Sequence, residues 1–197
     1  MECVASMNST QLLEVFRLSK TIELNDGEVK IMGTPVNILP TNVLIDFQKG
    51  LIEARGFREA YELIYRSTRN GSYSYNKNFI QKHKFSDKRA LVEWQWKIVT
   101  LAGWGKWKII EIDTAKNTLV AKFEGSPFPG IYGKSPYPVD IIPAGFTAGG
   151  VSAGFGQELD GFESKCVALG DPFCQIEIGP KEEILKRREE LWKKLGI

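Results

Sequence analysis

Glu163, Cys166 and Cys174 fall within twelve residues, in the string GFESKCVALGDPFC. Two of the three cysteines of the chain are here, with a carboxylate three positions before the first. Thiolate sulfur and carboxylate oxygen are both ligands for zinc, and a tetrahedral site then needs one further group. The same residues have a plainer reading. Free cysteine is among the most buried residue types, so Cys166 and Cys174 could be small core residues on paired strands. A disulfide across a tight turn is a third reading. In the metal reading a hairpin turned near Gly170-Asp171 places residues 166 and 174 across from each other, with Glu163 further along the same segment.

Other candidate chemistry fails on spacing. Gly133-Lys134-Ser135 has the tail of a phosphate-binding loop, but the glycine required five positions earlier is Phe128. Gly103-Trp104-Gly105 and Gly154-Phe155-Gly156 open like dinucleotide fingerprints, yet Lys108 and Leu159 stand where the third glycine belongs. The one histidine, His83, has no evident nucleophile partner. No catalytic residue is assigned.

Composition narrows the class. The 197 residues are 43% hydrophobic and 25% charged, with a net charge of +2, values of an ordinary globular chain. That charge does not argue for nucleic acid. Basic and aromatic residues mix in Tyr73, Tyr75, Lys77, Lys82, His83 and Lys84, and a solvated helix face accounts for them. Three cysteines, an odd count, argue against a disulfide framework and for a reducing, cytoplasmic setting. No signal peptide and no run of about 20 apolar residues is visible. Cys3 receives no role.

The elements that must position the cluster follow from periodicity. Thr10 to Ser19 reads as a helix, and Thr21 to Met32 as a hairpin turned at Asn25-Asp26-Gly27 and broken by Gly33 and Pro35. Helices are expected from Thr41 or Asn42, as cap, to Ala54, from Phe57 to Arg69, from Ser72 to Lys82 after a break at Asn70-Gly71, and from Ser86, as cap, to Leu101. A second hairpin pairs Trp107 to Ile112 with Thr118 to Phe123, and a Pro/Gly/aromatic loop spans Gly125 to Pro138. Val139 to Leu159 reads as a helix with small-residue faces. Phe162 to Leu169 and Phe173 to Ile178 are strands, and Lys181 to Leu195, opened by Pro180, is a closing helix. Ile184, Leu185, Leu191, Trp192 and Leu195 on it could serve a core or a dimer. This order predicts an α+β fold with antiparallel sheet packed against helices. Residues 1–36 are expected to form a helix–hairpin extension and residues 37–197 a single domain.

Pro138-Val139-Asp140, the Gly-rich helix, Glu163-x-x-Cys166 and Gly170-Asp171-Pro172-Phe173-Cys174 together resemble the 4-vinyl-reductase domain family. Such domains occur alone in archaea and as sensor domains of phenol-responsive bacterial regulators. The resemblance covers mainly Trp104 to Ile178, and the N-terminal hairpin lies outside it. It implies a TRAPP-like ligand-binding fold, related to haem nitric-oxide sensors. It also implies a structural zinc held by a Cys, a Glu and two further Cys. Three of those positions fall on Glu163, Cys166 and Cys174, and the first falls on Asp140. Aspartate can ligate zinc, so Asp140 would complete the set.

The family's pocket for small aromatic or hydrocarbon ligands lies between helices and sheet. Tyr61, Tyr65, Trp94, Trp104, Trp107, Phe146 and Phe155 are the candidate lining here. The expected function is a small-molecule sensor or carrier domain, a homodimer, with zinc as structural cofactor. The alternatives are a reductase-type enzyme subunit or a TRAPP-like assembly module. The glycines of residues 145–156 serve either close packing or room for a ligand.

Overall fold

The computed structural model describes residues 9–18, 21–31, 33–83 and 87–197. Cys3, Lys84 and Ser86, and the side chains of Lys82 and His83, lie outside the described residues. The chain divides into two compact units, Met1–Leu39 and Pro40–Ile197.

In the first unit, α1 (Ser9–Leu18) buries Phe16. A three-stranded antiparallel sheet follows: β1 (Ile22–Asn25), β2 (Glu28–Ile31) and β3 (Thr34–Val36). Asn25 pairs with Glu28, so Asp26-Gly27 is a two-residue turn, with Gly27 at φ +75°. Gly33 and Pro35 do not end the sheet. β3 pairs with β2 through Lys30↔Pro35, at an edge where a missing N–H is tolerated.

In the second unit, α2 (Thr41–Arg55) starts at Pro40, and neither Thr41 nor Asn42 is its cap. Gly56 stops it at φ +76°. The helix α3 runs unbroken over Phe57–His83, straight through Asn70-Gly71. Gly71 is exposed there, whereas Ile64 and Tyr65 before it and Ser72 and Asn76 after it are buried. Burial on both sides outweighs a local penalty of roughly 1 kcal/mol for glycine in a helix. The next helix, α4 (Lys88–Leu101), is capped by Asp87, whose carboxylate accepts from the Arg89 N–H.

The sheet of this unit has the order β4-β5-β7-β6, antiparallel throughout. Its strands are β4 (Lys106–Asp113), β5 (Thr118–Glu124), β6 (Leu159–Lys165) and β7 (Cys174–Pro180). Alternation along β5 turns Leu119, Ala121 and Phe123 to the core, and their partners Ile178, Ile176 and Cys174 on β7 share that face. The Gly125–Pro138 loop contains a short helix, α5 (Pro127–Tyr132), capped by Ser126 with Pro127 in its first turn. The Gly-rich segment is helical only over α6 (Ile141–Phe155), and β6 begins earlier than its hydrophobic pattern suggested, at Leu159. The strand ends at Lys165, and Val167–Leu169 is a 3-10 turn.

The glycines of α6 are explained by close packing. A Cβ on Gly145 would stand 2.6 Å from the Tyr65 carbonyl oxygen, and one on Gly149 would stand 2.9 Å from the Tyr73 nitrogen and closer still to the Arg69 carbonyl. Backbone therefore meets backbone between α6 and α3. A hydrogen bond crosses the contact, Ser72 donating to the Phe146 carbonyl at 2.6 Å, and the Arg69 guanidinium ties α3 to the start of β6 by donating to the Leu159 carbonyl at 2.7 and 2.9 Å.

The closing helix α7 (Lys181–Leu195) packs Ile184, Arg188 and Trp192 into its own domain. Trp192 meets Tyr61 edge-on at 4.8 Å, and the Arg188 guanidinium lies over both rings while pairing with Glu62. No helix among the described residues is long and apolar enough to cross a membrane.

Gly149→Ala forces the helices apart and is expected to lower stability by about 1–3 kcal/mol or more. Gly71→Ala, at an exposed helical position with open space around it, should raise stability by about 0.5–1 kcal/mol. Urea denaturation followed by circular dichroism measures both signs.

Candidate functional site: a buried carboxylate and thiol cluster

Four elements deliver the cluster. Asp140 is the N-cap of α6, Glu163 lies in β6, Cys166 follows β6, and Cys174 opens β7. One ligand atom from each lies within 4.8 Å of all the others, and all four residues are buried. The spacing Glu-x-x-Cys is not what a regular strand would use, because residues three apart point to opposite faces. A register shift between Glu163 and Lys165 resolves this. Glu163 pairs with core-facing Ile176, while Lys165 pairs with the half-exposed Gln175. The bulge thus moves Lys165 outward and returns Cys166 to the face of Glu163 and Cys174.

The turn falls at Gly170-Asp171, as the sequence led one to expect, and is held by its own groups. The Cys166 N–H donates to the Asp171 carboxylate at 2.8 Å, Asp171 N–H donates back to the Cys166 carbonyl at 3.2 Å, and Gly170 takes φ +103°. Ser126 Oγ donates to Asp140 Oδ1 at 2.7 Å. Asp140 N–H donates to Glu163 Oε2 at 2.8 Å, and Val167 N–H reaches the Cys174 sulfur at 3.4 Å. An Asx-Pro turn signal was visible in Gly170-Asp171-Pro172, but nothing local marked Ser126.

Two carboxylate oxygens remain without a partner, Asp140 Oδ2 and Glu163 Oε1. No Lys or Arg among the described residues forms an ion pair with either carboxylate. Burial pushes Asp140 up from the usual carboxylate range. Burial, joined by the charge of Asp140 and of Cys166, pushes Glu163 well above it. Hydrogen bonding between the two thiols brings Cys166 down to about 7 and, together with burial, pushes Cys174 up. Position at the N-terminus of α6 adds the positive end of that helix dipole. Two thiols and two half-satisfied carboxylates, converging and sealed from water, fit a divalent cation of the zinc type. The four residues form a cluster that could hold a metal ion.

The aromatic candidates divide among several places. Tyr61 and Tyr65 stack at 5.5 Å in the core beside α7, and Tyr65 OH donates to the Asp160 carboxylate while accepting from Gly161 N–H. Trp94 stacks on Phe79 at 4.3 Å, and Lys88 lies over Phe155 at 5.0 Å. Trp104 meets Phe146 edge-on at 5.0 Å. Trp107 stacks on Phe123 at 4.3 Å and tilts toward Trp96 at 5.8 Å.

A small cavity of about 10 Å³ lies among α3, α4 and α6, space for roughly one water. Of the aromatic candidates only Phe146 lines it, with Trp96, Val99 and Thr147. Its polar side is the buried pair Asn76 and Gln95. Gln95 Nε2 donates to Asn76 Oδ1 at 2.8 Å and to the Gly150 carbonyl at 3.3 Å. Gly150 keeps space for this pair, since a Cβ there would stand 3.2 Å from Asn76 Nδ2. An amide at Gln95 between apolar Val92, Trp96 and Val99 was the available sequence signal.

No family model matches the chain, and no curated protein matches it. Solved structures do. The phenol-responsive sensory domain of the transcription activator PoxR, crystallised with phenol, superposes with a TM-score of 0.75 at 20% identity, over 94% of this chain and 97% of that one. That match extends beyond Pro40–Ile197 into the N-terminal unit, which the sequence resemblance did not. A trafficking protein particle complex subunit 3 from Naegleria fowleri, covalently bound to palmitic acid, gives 0.53 at 13% identity over 72% and 95%. A vinyl-4-reductase family protein from Methanocaldococcus jannaschii gives 0.47 at 18% over 73% and 82%. The α+β, TRAPP-like fold expected from the sequence is the fold observed.

Tyr65→Phe removes the hydroxyl that bridges the Asp160 carboxylate and the Gly161 N–H, which keep their 3.0 Å bond to each other, and should lower stability by about 0.5–1.5 kcal/mol. Burial holds the Tyr65 hydroxyl well above its ordinary value. Its contribution is therefore full below the unfolded tyrosine value of about 10 and is lost as pH rises beyond it. Urea titrations from pH 8 to 11 should show a shallower alkaline loss in the variant.

Proposed function

We propose that Pro40–Ile197 is a small-molecule-binding sensor or carrier domain, with a structural zinc at Asp140, Glu163, Cys166 and Cys174. The observation that carries the ligand reading is the amide pair Asn76–Gln95, buried in a seam otherwise walled by Trp96, Val99 and Phe146. Buried polar groups among aromatic walls suit a small aromatic ligand with a hydrogen-bonding substituent. The fold shared with a phenol-responsive domain supports this class of ligand. At about 10 Å³ the seam is closed around its own side chains, so a ring would enter by displacing α4 from α6. Gly145 and Gly149 lock α6 to α3, which leaves α4 as the wall that gives way. A ligand-driven shift of α4 is a sensor's output.

For zinc, the supporting observation is the pair of partnerless carboxylate oxygens facing two thiols. Four protein donors leave no open position, so the metal would join β6 and β7 to the start of α6 and perform no chemistry. Ser126 would orient Asp140 through Oδ1 and leave Oδ2 for the metal. A homodimer belongs to the same proposal. Val43 and Phe47, 47% and 61% exposed on α2, are candidate contacts, and light scattering tests it.

Metal analysis of protein purified without chelator should give close to one zinc per chain. Cys166→Ser should abolish it, and Ser126→Ala should weaken it by about 10–100-fold. Affinity should fall as pH drops, because protons compete for thiolate and carboxylate. A zinc content of a few hundredths per chain rejects the metal reading. Separately, phenol and its simple derivatives should raise the thermal midpoint, and Gln95→Leu should weaken binding about tenfold. No shift with any monocyclic phenol rejects that ligand class.

A further inference from the structure

One residue of the buried cluster borders a cleft. A cleft of about 200 Å³ lies between the end of β5, the start of α5 and the Pro172-Phe173 turn. Cys174 lies on its lining beside Phe123, Ser126, Gly130 and Phe173, whereas Asp140, Glu163 and Cys166 do not line it. Such a volume admits a small solute as far as Cys174, which is itself 1% exposed. The other sulfur is poised behind it. Lys165↔Gln175 is the last pair of the β6–β7 ladder, so Cys166 and Cys174 occupy the next opposed positions, with their sulfur atoms within 4.8 Å. Both are free thiols. The ammonium groups of Lys122 and Lys165 lie 4.3 and 4.8 Å from the centre of the Phe173 ring, which puts positive charge beside the cleft.

We propose that Cys174 is a site of oxidation by hydroperoxides and Cys166 its resolving thiol, so that a peroxide entering this cleft converts the two sulfur donors to a disulfide and discharges the metal. In the first step Cys174 attacks the peroxide as a thiolate, the form it takes as a metal ligand or once the proton that the two thiols share rests on Cys166; an S–O bond forms, the O–O bond breaks, and the departing alkoxide or hydroxide takes a proton. Cys174 is then a sulfenic acid. In the second step the Cys166 thiolate attacks that sulfur, the S–S bond forms, and hydroxide leaves and is protonated to water. Two thiolates, one hydroperoxide and two protons give one disulfide, one alcohol or water, and one water. The sulfurs lose two electrons, the peroxide gains them, and the metal keeps its oxidation state. Asp140 and Glu163 then remain as the only donors, too few for a closed tetrahedral site. The order of attack is set by access, since only Cys174 lines the cleft. Metal discharge rests on the zinc reading above, and formation of the disulfide does not.

The experiment uses the full chain with Cys3→Ser, its zinc measured first, treated with equimolar hydrogen peroxide. Intact mass and free zinc are followed together. The expected result is a loss of two hydrogens per chain in step with release of the zinc present, reversed by dithiothreitol plus zinc. In Cys166→Ser, dimedone should label Cys174. In Cys174→Ser, the same peroxide dose should leave Cys166 unlabelled. Gly130→Leu, at a cleft position where a Cβ meets nothing within 4 Å, should slow oxidation severalfold at unchanged zinc content. First labelling at Cys166, sulfinic acid without disulfide, a disulfide formed with zinc retained, or an unchanged rate in Gly130→Leu each overturns the proposal. Should the starting protein hold no zinc, the zinc reading and metal discharge fail, and the mass and labelling results still decide the cysteine pair.

Discussion

Four acidic side chains confined within 4.8 Å and shut away from water repel one another once ionised. That repulsion must be offset wherever β6, β7 and the start of α6 are to meet. The chain offsets it with a set of directed donors: Ser126 Oγ, the Asp140 and Val167 N–H groups, and the positive end of α6. These donors leave one oxygen on each carboxylate without a partner. A divalent cation at that point would cancel the remaining charge and join the three elements. Without one, burial holds both carboxyls above their ordinary range, and the two thiols are joined by a hydrogen bond.

The position of α6 connects this constraint to the rest of the domain. Its N-cap, Asp140, is part of the cluster, its glycines seat it directly on the backbone of α3, and its middle carries Phe146, Thr147 and Gly150 to the seam under α4. A helix held this closely at one end and along one side moves little. The packing of α4 instead uses side chains, such as Trp94 on Phe79 and Trp96 toward Trp107, and in the proposed function it is α4 that a ligand would displace. The Arg188 guanidinium between Tyr61 and Trp192 fixes α7 on the far part of α3 in the same domain.

Particular residues show where sequence patterns sufficed. The turn at Asp26-Gly27, the alternation of Leu119, Ala121 and Phe123, the Gly56 stop and the span Lys181–Leu195 all follow from local chemistry, and the structure has each. Local chemistry misled at Asn70-Gly71, where tertiary burial of Tyr65, Ser72 and Asn76 carries α3 across the expected break. It also misplaced the start of β6, because Leu159, four residues after Phe155, continues a helical spacing that Gly156 ends in a left-handed turn.

By itself the sequence determined the identities of the cluster and the class of fold. Residue type limits which side chains can ligate, and hydrophobic periods limit which segments become helix or strand. Only the tertiary structure decided that Asp140, Glu163, Cys166 and Cys174 converge. Their convergence depends on a bulge at Glu163–Lys165 and on α6 beginning at Asp140, and neither is written in any local period. The same holds for Ser126, for the Asn76–Gln95 pair and for the cleft that reaches Cys174 alone. Each joins residues distant in the chain, and their distances are set by how helices and sheet pack, not by their spacing in sequence.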